Sequence, residues 1–236
     1  MHQYKKLLIL VYIQTLYREF LSHLAIMHRF VLKEINIRIL FFIFVQLYIW
    51  NKMDIKLRIE QPSDYNETEN VTREAFWNHF SPGCDEHYLL HIMRNHPKFV
   101  PELDIVAEHN NKIVGNVVCL KSFIMADDGN QYEVLSLGPI SVLPEYQQKG
   151  IGRKMIALTQ ERAFDMGFRA ILLCGDPDYY LRQGFIPAET LGIRTEDNMY
   201  ATALHVYELY DNALANAKGR YIEDEIYQVD KSAANE

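Results

Sequence analysis

An apolar strand, a proline corner and a glycine-opened helix follow one another without a break in Leu137-Gly-Pro-Ile-Ser-Val-Leu-Pro-Glu-Tyr-Gln-Gln-Lys-Gly-Ile-Gly-Arg-Lys-Met155. A chain that passes this abruptly from sheet to helix must stack the helix on the sheet, which points to an α/β or α+β layer fold. The segment is also an anion site in waiting. The first N–H groups of a helix lack intrahelical partners and sit at the positive end of its dipole. Gly150 and Gly152 allow close approach to the backbone, and Lys149, Arg153 and Lys154 add positive charge.

The rest of the chain after Met53 supports one mixed sheet flanked by helices. Lys56–Glu60 alternates as a strand, and Asp64 with Glu67 fits a capping box opening a helix that runs to Phe76. A second helical stretch spans about 85–94. Strands at 104–108 and 112–120 flank His109-Asn-Asn111, a hairpin signal. The strand 132–142 carries Gly138-Pro139, which marks an edge or a bulge. A helix from Gly150 to Met166 ends at Gly167, and Ala170–Cys174 is wholly apolar, as in a buried sheet. Helical turns at 178–183 and strands near Phe185 and at 201–207 complete the order β-α-α-β-β-β-α-β-α-β-β.

Charge divides the chain unequally. Residues 1–52 carry seven Lys or Arg against two Glu, whereas 53–236 holds a net −12, for a whole-chain charge of −7. That balance excludes nucleic acid as an expected partner, since phosphate backbones want a positive face. The 1–52 stretch has no Gly or Pro, and its most apolar run, 39–50, is too short to span a bilayer. It reads as a basic apolar extension. It is either membrane-surface associating, or packed on the domain, or upstream of a true start at Met53, the reading we favour. No membrane partner is expected, and three scattered cysteines (84, 119, 174) suit a reduced, cytoplasmic chain.

The anion site is not one of the two commonest nucleotide loops. A Walker A loop needs four residues between its glycines followed by Lys-Ser/Thr, and the dinucleotide fingerprint needs a small residue where Met155 stands. Gln147-Gln-Lys-Gly150-Ile-Gly152 instead has the form Q/R-x-x-G-x-G/A, and resembles the acetyl-CoA pyrophosphate loop of the GNAT superfamily of N-acetyltransferases. Gly175-Asp-Pro-Asp-Tyr-Tyr-Leu-Arg-Gln-Gly-Phe185 is similar to a later segment of that family, closely so in its YhbS-like branch. The likeness spans 53–221, leaving 222–236 as a polar tail.

The resemblance implies a GNAT-type α/β fold whose central mixed sheet has two parallel strands splayed apart, here 132–142 and 170–174. It implies acetyl-CoA as cosubstrate and acetyl transfer by direct attack of a primary amine, small-molecule or peptide. Ile140, Ser141 and Val142 would pair with the pantetheine. Gln147, Gln148, Lys149, Gly150, Ile151, Gly152, Arg153 and Lys154 would hold the pyrophosphate. Tyr180, four residues before Gly184, would protonate the leaving thiolate. A homodimer is left open, and no metal is implied. A non-catalytic acyl-CoA-binding or sensing module on the same fold is the alternative. For a general base, Glu133, Glu86, Asp176 and Asp178 are candidates by position alone. His87 and His91, spaced i, i+4, read as surface histidines rather than zinc ligands, and Cys119 and Cys174 as small core residues.

Overall fold

A computed structural model describes residues 54–78 and 83–228. The expectations for 1–52 lie outside the described residues. Nine strands form one mixed sheet: β1 (Lys56–Ile59), β2 (Ile105–His109), β3 (Lys112–Ala126), β4 (Gln131–Val142), β5 (Ala170–Cys174), β6 (Ile186–Pro187), β7 (Ile193–Arg194), β8 (Leu204–Glu208) and β9 (Gly219–Ile222). Their order is β1-β2-β3-β4-β5-β8-β6, with β9 added to β3 and β7 to β9. Among the described residues four α-helices accompany them: α1 (Tyr65–Phe76), α2 (Glu86–Met93), α3 (Ile151–Asp165) and the single turn α4 (Pro177–Tyr180).

Local chemistry accounts for most boundaries. Asn110 and Asn111 both adopt positive φ (50° and 61°), as the β2–β3 hairpin demands of its two central residues. Gly167 ends the α3 region at φ 82°. The capping box expected of Asp64 and Glu67 does not form. Asp64 closes a turn one step earlier, accepting from the Gln61 amide at 2.8 Å and from Arg58. Glu67 reaches across to the Ile113 amide at 3.1 Å, tying α1 to β3 instead.

The two sheet faces are covered differently. Met155 of α3 lies against the Gly115–Val142 pair, where a Cβ on Gly115 would stand 2.8 Å from the Ser141 carbonyl and 3.2 Å from the Met155 methyl. On the opposite face, Thr72 of α1 bonds the Asn116 side chain at 3.0 Å, beside Ser141. There Leu89, Leu90 and Met93 of α2 pack on Val118 and Leu120. Farther along the same face Val134, Leu172, Leu204 and Val206 are covered by Tyr221, Ile193 and Leu214. Each such fully buried aliphatic contributes about 1.5–3 kcal/mol.

A buried ion network fixes the corner where β1, α1 and α2 meet. Arg94 donates to both oxygens of Glu60 at 2.9 Å and pairs with Glu69, with side chains of Arg94 and Glu60 only 5% and 1% exposed. Asp104 lies buried beside Glu60, and burial first, then the contact with Glu60, raise its carboxyl far above the ordinary range. Of the polar tail expected over 222–236, the described residues pack back on the domain. Asp224 pairs with Lys98 at 2.7 Å, and the Tyr227 hydroxyl donates to the Gly138 carbonyl at 3.2 Å.

Candidate active site

The parallel strands β4 and β5 pair only at Leu135–Ile171 and Ser136–Leu172. Beyond that point they part. The cause lies on the other edge of β4. Between Val117 and Cys119, β3 advances two residues while β4 advances three, from Ile140 to Leu137, so β4 bulges at Gly138-Pro139, whose peptide bond is cis. A bulge bends and twists its strand locally. The glycine-proline pair in β4 is therefore a bulge, one of the two expectations for it.

The alternation of the ladder then decides which backbone groups face the gap. The Leu143 amide bonds the Val114 carbonyl of β3 at 2.9 Å, and Gly115–Val142 is a facing pair. Residues 141 and 143 hence direct their amides to β3, while those of Ile140 and Val142 point into the opening between β4 and β5. The Val142 carbonyl is held there by the Gln147 side chain, whose amide donates to it at 3.0 Å. Ser141 turns its side chain to the other face, where it is buried against Asn116 and Thr72.

Directly after β4, a 3₁₀ turn (Pro144–Tyr146) and the residues Gln147–Gly150 curl into the start of α3. Gln148 (φ 58°) and Gly150 (φ 75°) take left-handed backbone, which directs successive amides to one side. Lys154 N–H makes a helical bond, to Gly150 O at 3.1 Å; the amides before it open the helix. Lys149 folds back to the Glu145 carbonyl at 2.5 Å, and Arg153 and Lys154 are exposed beside the loop, while Ile151 is buried beneath it. The loop residues singled out in the sequence thus form one continuous rim.

The two tyrosines of α4 meet this rim differently. The Tyr179 hydroxyl lies over Gly152, 2.5 Å from where a Cβ would stand. Tyr180 lies back on Gly175 at the tip of β5, with its ring 2.2 Å from a Cβ there, and contacts Phe185 and His205. It is 9% exposed, and burial, then the neighbouring Tyr179 and Asp176, hold its hydroxyl well above the ordinary tyrosine range. At neutral pH it is a proton-bearing group beside the tip of β5. The two glycines make room for the chain's own Tyr179 and Tyr180, and the opened helix start is suited to a pyrophosphate. The residues present fit acetyl-CoA.

None of the four carboxylates considered as a base stands out. Glu133 lies at the far end of β4 from the gap, 3.7 Å from Lys121. Glu86 accepts from the Cys84 thiol at 3.1 Å, Asp176 caps α4 by accepting from the Asp178 amide at 2.9 Å, and Asp178 is exposed. Cys119 is buried as expected, but Cys174 is not a core residue: it is exposed at the end of β5. Partial enclosure of its sulfur by neighbouring side chains, then Glu223, push its thiol up to about 11, so it is a thiol rather than a nucleophilic thiolate. His91 bonds Glu69 at 3.0 Å, and no cluster of potential metal ligands occurs among the described residues. Nor, among them, is any helix long and apolar enough to cross a membrane.

A splayed parallel pair, an amide-rich helix start after the first strand and a buried tyrosine after the second together suit an acyl thioester of coenzyme A. Comparison with known proteins agrees. The profile of the acetyltransferase (GNAT) family matches residues 66–185, and the chain belongs to that family of acetyl-CoA-dependent N-acyltransferases. It is 25% identical to the N-acetyltransferase YhbS of Escherichia coli K12 over 164 residues, 69% of this chain and 92% of YhbS. It is 28% identical to the N-acetyltransferase YjhQ of the same strain over 130 residues, 55% of this chain and 68% of YjhQ. The crystal structure of Escherichia coli YhbS in complex with CoA shares the fold at a TM-score of 0.66 and 23% identity, covering 75% of this chain and 93% of YhbS. A GNAT family acetyltransferase from Brucella melitensis, in complex with acetyl-CoA, does so at 0.60 and 24% identity, over 74% and 99% of the chains.

Proposed function

We propose that the chain transfers the acetyl group of acetyl-CoA to a primary amine by direct attack, with Tyr180 as the proton donor. The carrying observation is the divergence of β4 from β5 after Ser136–Leu172, bordered by the Gln147–Lys154 rim on one side and by Tyr180 on the other. When bound, acetyl-CoA supplies the thioester. The amides of the loop and of the first turn of α3, with Lys149, Arg153 and Lys154, hold its pyrophosphate. The Ile140 and Val142 backbone, facing the gap, takes the pantetheine. The Val142 N–H donates to the thioester oxygen as negative charge develops on it, an effect worth about 2.7–4 kcal/mol in related oxyanion sites.

The amine nitrogen, already stripped of its ammonium proton, forms the C–N bond while the C–S bond breaks. The thiolate takes the Tyr180 proton. The nitrogen's surplus proton leaves to a carboxylate or water, and the tyrosine is reprotonated from solvent. A hydroxyl held neutral by burial suits that donor role.

Tyr180→Phe tests this. Acetyl transfer should fall by about 10²–10⁴ in kcat with acetyl-CoA affinity retained. Unchanged kcat removes Tyr180 from the chemistry. Tight acetyl-CoA binding with no turnover of any amine, in wild type as in the variant, would support the sensing module instead.

A further inference from the structure

On the sheet face opposite α3, at the tip of β5, the structure opens a cavity of about 440 Å³. Its floor is Leu204 of β8, Tyr221 of β9 and Cys174, the last residue of β5 before Gly175 and the Tyr180 turn. Its rim carries three carboxylates, Glu196, Asp197 and Glu223. Among the described residues none of the three has an ion-pair partner. Arg220 reaches the Glu196 backbone carbonyl at 3.4 Å, not its carboxylate, and Asp197 takes the Thr195 hydroxyl. The pocket floor holds a further unmet group. Tyr221 is 3% exposed and its hydroxyl, near those of Ser122 and Ser136, makes no well-formed hydrogen bond. A buried hydroxyl of this kind normally finds a partner.

Place and charge argue together. Cys174 and Leu204 face each other across β5 and β8, so the cavity borders the strand that leaves β4. It lies on the side of the sheet away from the α3 rim, the side from which an acceptor can approach the gap while the rim holds the cosubstrate. Partial enclosure, then the Glu196 charge, raise the Glu223 carboxyl above its ordinary range, which brings it nearer to the proton affinity of an amine. If one carboxylate takes the proton of the reacting ammonium, two negative charges remain on the rim. A single-charged amine leaves them unmatched, whereas a second ammonium on the same molecule answers them.

We propose that this cavity is the acceptor site and that the acceptor is an aliphatic di- or polyamine, with Glu223 taking the proton of the reacting ammonium and Glu196 and Asp197 holding the distal one. The proposal rests on the acetyl-transfer reading above. Proton balance is kept: the ammonium gives one proton to Glu223, the resulting amine attacks as the C–S bond breaks, the thiolate takes the Tyr180 proton, and the surplus proton on the new amide nitrogen passes through water to restore the Tyr180 hydroxyl.

The test uses the full chain with 1,4-diaminobutane and n-butylamine as acceptors, in wild type, Glu196→Gln and Glu223→Gln. Wild type should prefer the diamine in kcat/KM by at least about tenfold, and Glu196→Gln should erase most of that preference through KM. Glu223→Gln should lower kcat for both amines. Calorimetry of 1,4-diaminobutane without acetyl-CoA gives a second readout, with binding weakened at least about tenfold in both variants. Acetyl-CoA binding, measured in parallel, should match wild type and shows that the variants are folded. Equal use of the two amines, or a diamine preference that survives Glu196→Gln, overturns the proposal. If acetyl-CoA binds but the diamine neither binds nor reacts, the cavity assignment falls alone. If acetyl-CoA fails to bind, the acetyl-transfer reading falls, and the calorimetry still decides what the cavity takes.

Discussion

The two sides of the sheet present functional groups by opposite means. On the α3 side, eighteen consecutive residues from Leu137 to Lys154 build bulge, gap-facing amides and anion rim, and the tyrosines of α4 close the site a short distance on. On the α1 side, the carboxylate-rimmed cavity is assembled from the end of β5, the turn after β7, β8 and β9, segments that meet only when the sheet is complete. A contiguous site depends on local backbone geometry. An assembled site depends on everything that keeps the sheet and its covering layer in register. Damage on the first side should therefore fall on the cosubstrate at a modest cost in stability, and damage on the second should fall hardest on stability.

The largest effect expected from that contrast is at the β1–α1–α2 corner. Arg94→Ala leaves Glu60 buried without its cation and should cost about 3–5 kcal/mol of stability, read by denaturant unfolding. If it costs under 1 kcal/mol, the acceptor-side layer is not held by that network. Next comes Gly115→Ala. Its Cβ would press on the Ser141 carbonyl backbone at 2.8 Å, and overpacking of this kind costs about 1–3 kcal/mol. On the cofactor side, Asp176→Ala removes the cap on α4 and should cost about 1 kcal/mol while slowing acetyl transfer through misplacement of Tyr180.

A pH measurement sharpens the same contrast. The Asp104 carboxyl is raised by burial, then by Glu60, with Arg94 opposing. The folded chain therefore holds a proton that the unfolded chain releases above the ordinary value of 3.8. Stability from this group is full below that value and is lost as pH rises toward about 9. Asp104→Asn should flatten the decline of Tm between about pH 5 and pH 9, and an identical decline in both proteins would remove Asp104 as its source.

The same contrast explains what could be read from the sequence. Strand, corner, glycines and basic residues around Gly150 were legible because each acts on its immediate neighbours. The short helix that carries Tyr180 was legible because the Gly175–Phe185 segment resembles a segment of the family. The hairpin at Asn110-Asn111 was legible because positive φ selects few residue types. Glu196, Asp197, Glu223 and Tyr221 were not, because nothing local distinguishes a carboxylate in a turn from one beside a cavity. The alternation Arg220-Tyr-Ile-Glu223 is a strand signal in hindsight, but its pairing with β3 about 100 residues away is a tertiary fact. Glu67 misled for the same reason: its partner, Ile113, is 46 residues distant. Cys174 misled because an apolar strand says nothing about where its last residue emerges.

The central claim is that the Gln147–Lys154 rim holds acetyl-CoA. The most direct measurement is thermal unfolding of the full chain with and without acetyl-CoA, beside Gly150→Glu, which puts a carboxylate and a strained left-handed backbone (φ 75°) into the rim. Ligand at about 100 times its Kd should stabilise the wild type by about 2.7 kcal/mol, and the variant should show little or no shift. An equal shift in both proteins would place the cosubstrate elsewhere, and no shift in either would contradict the account of this site.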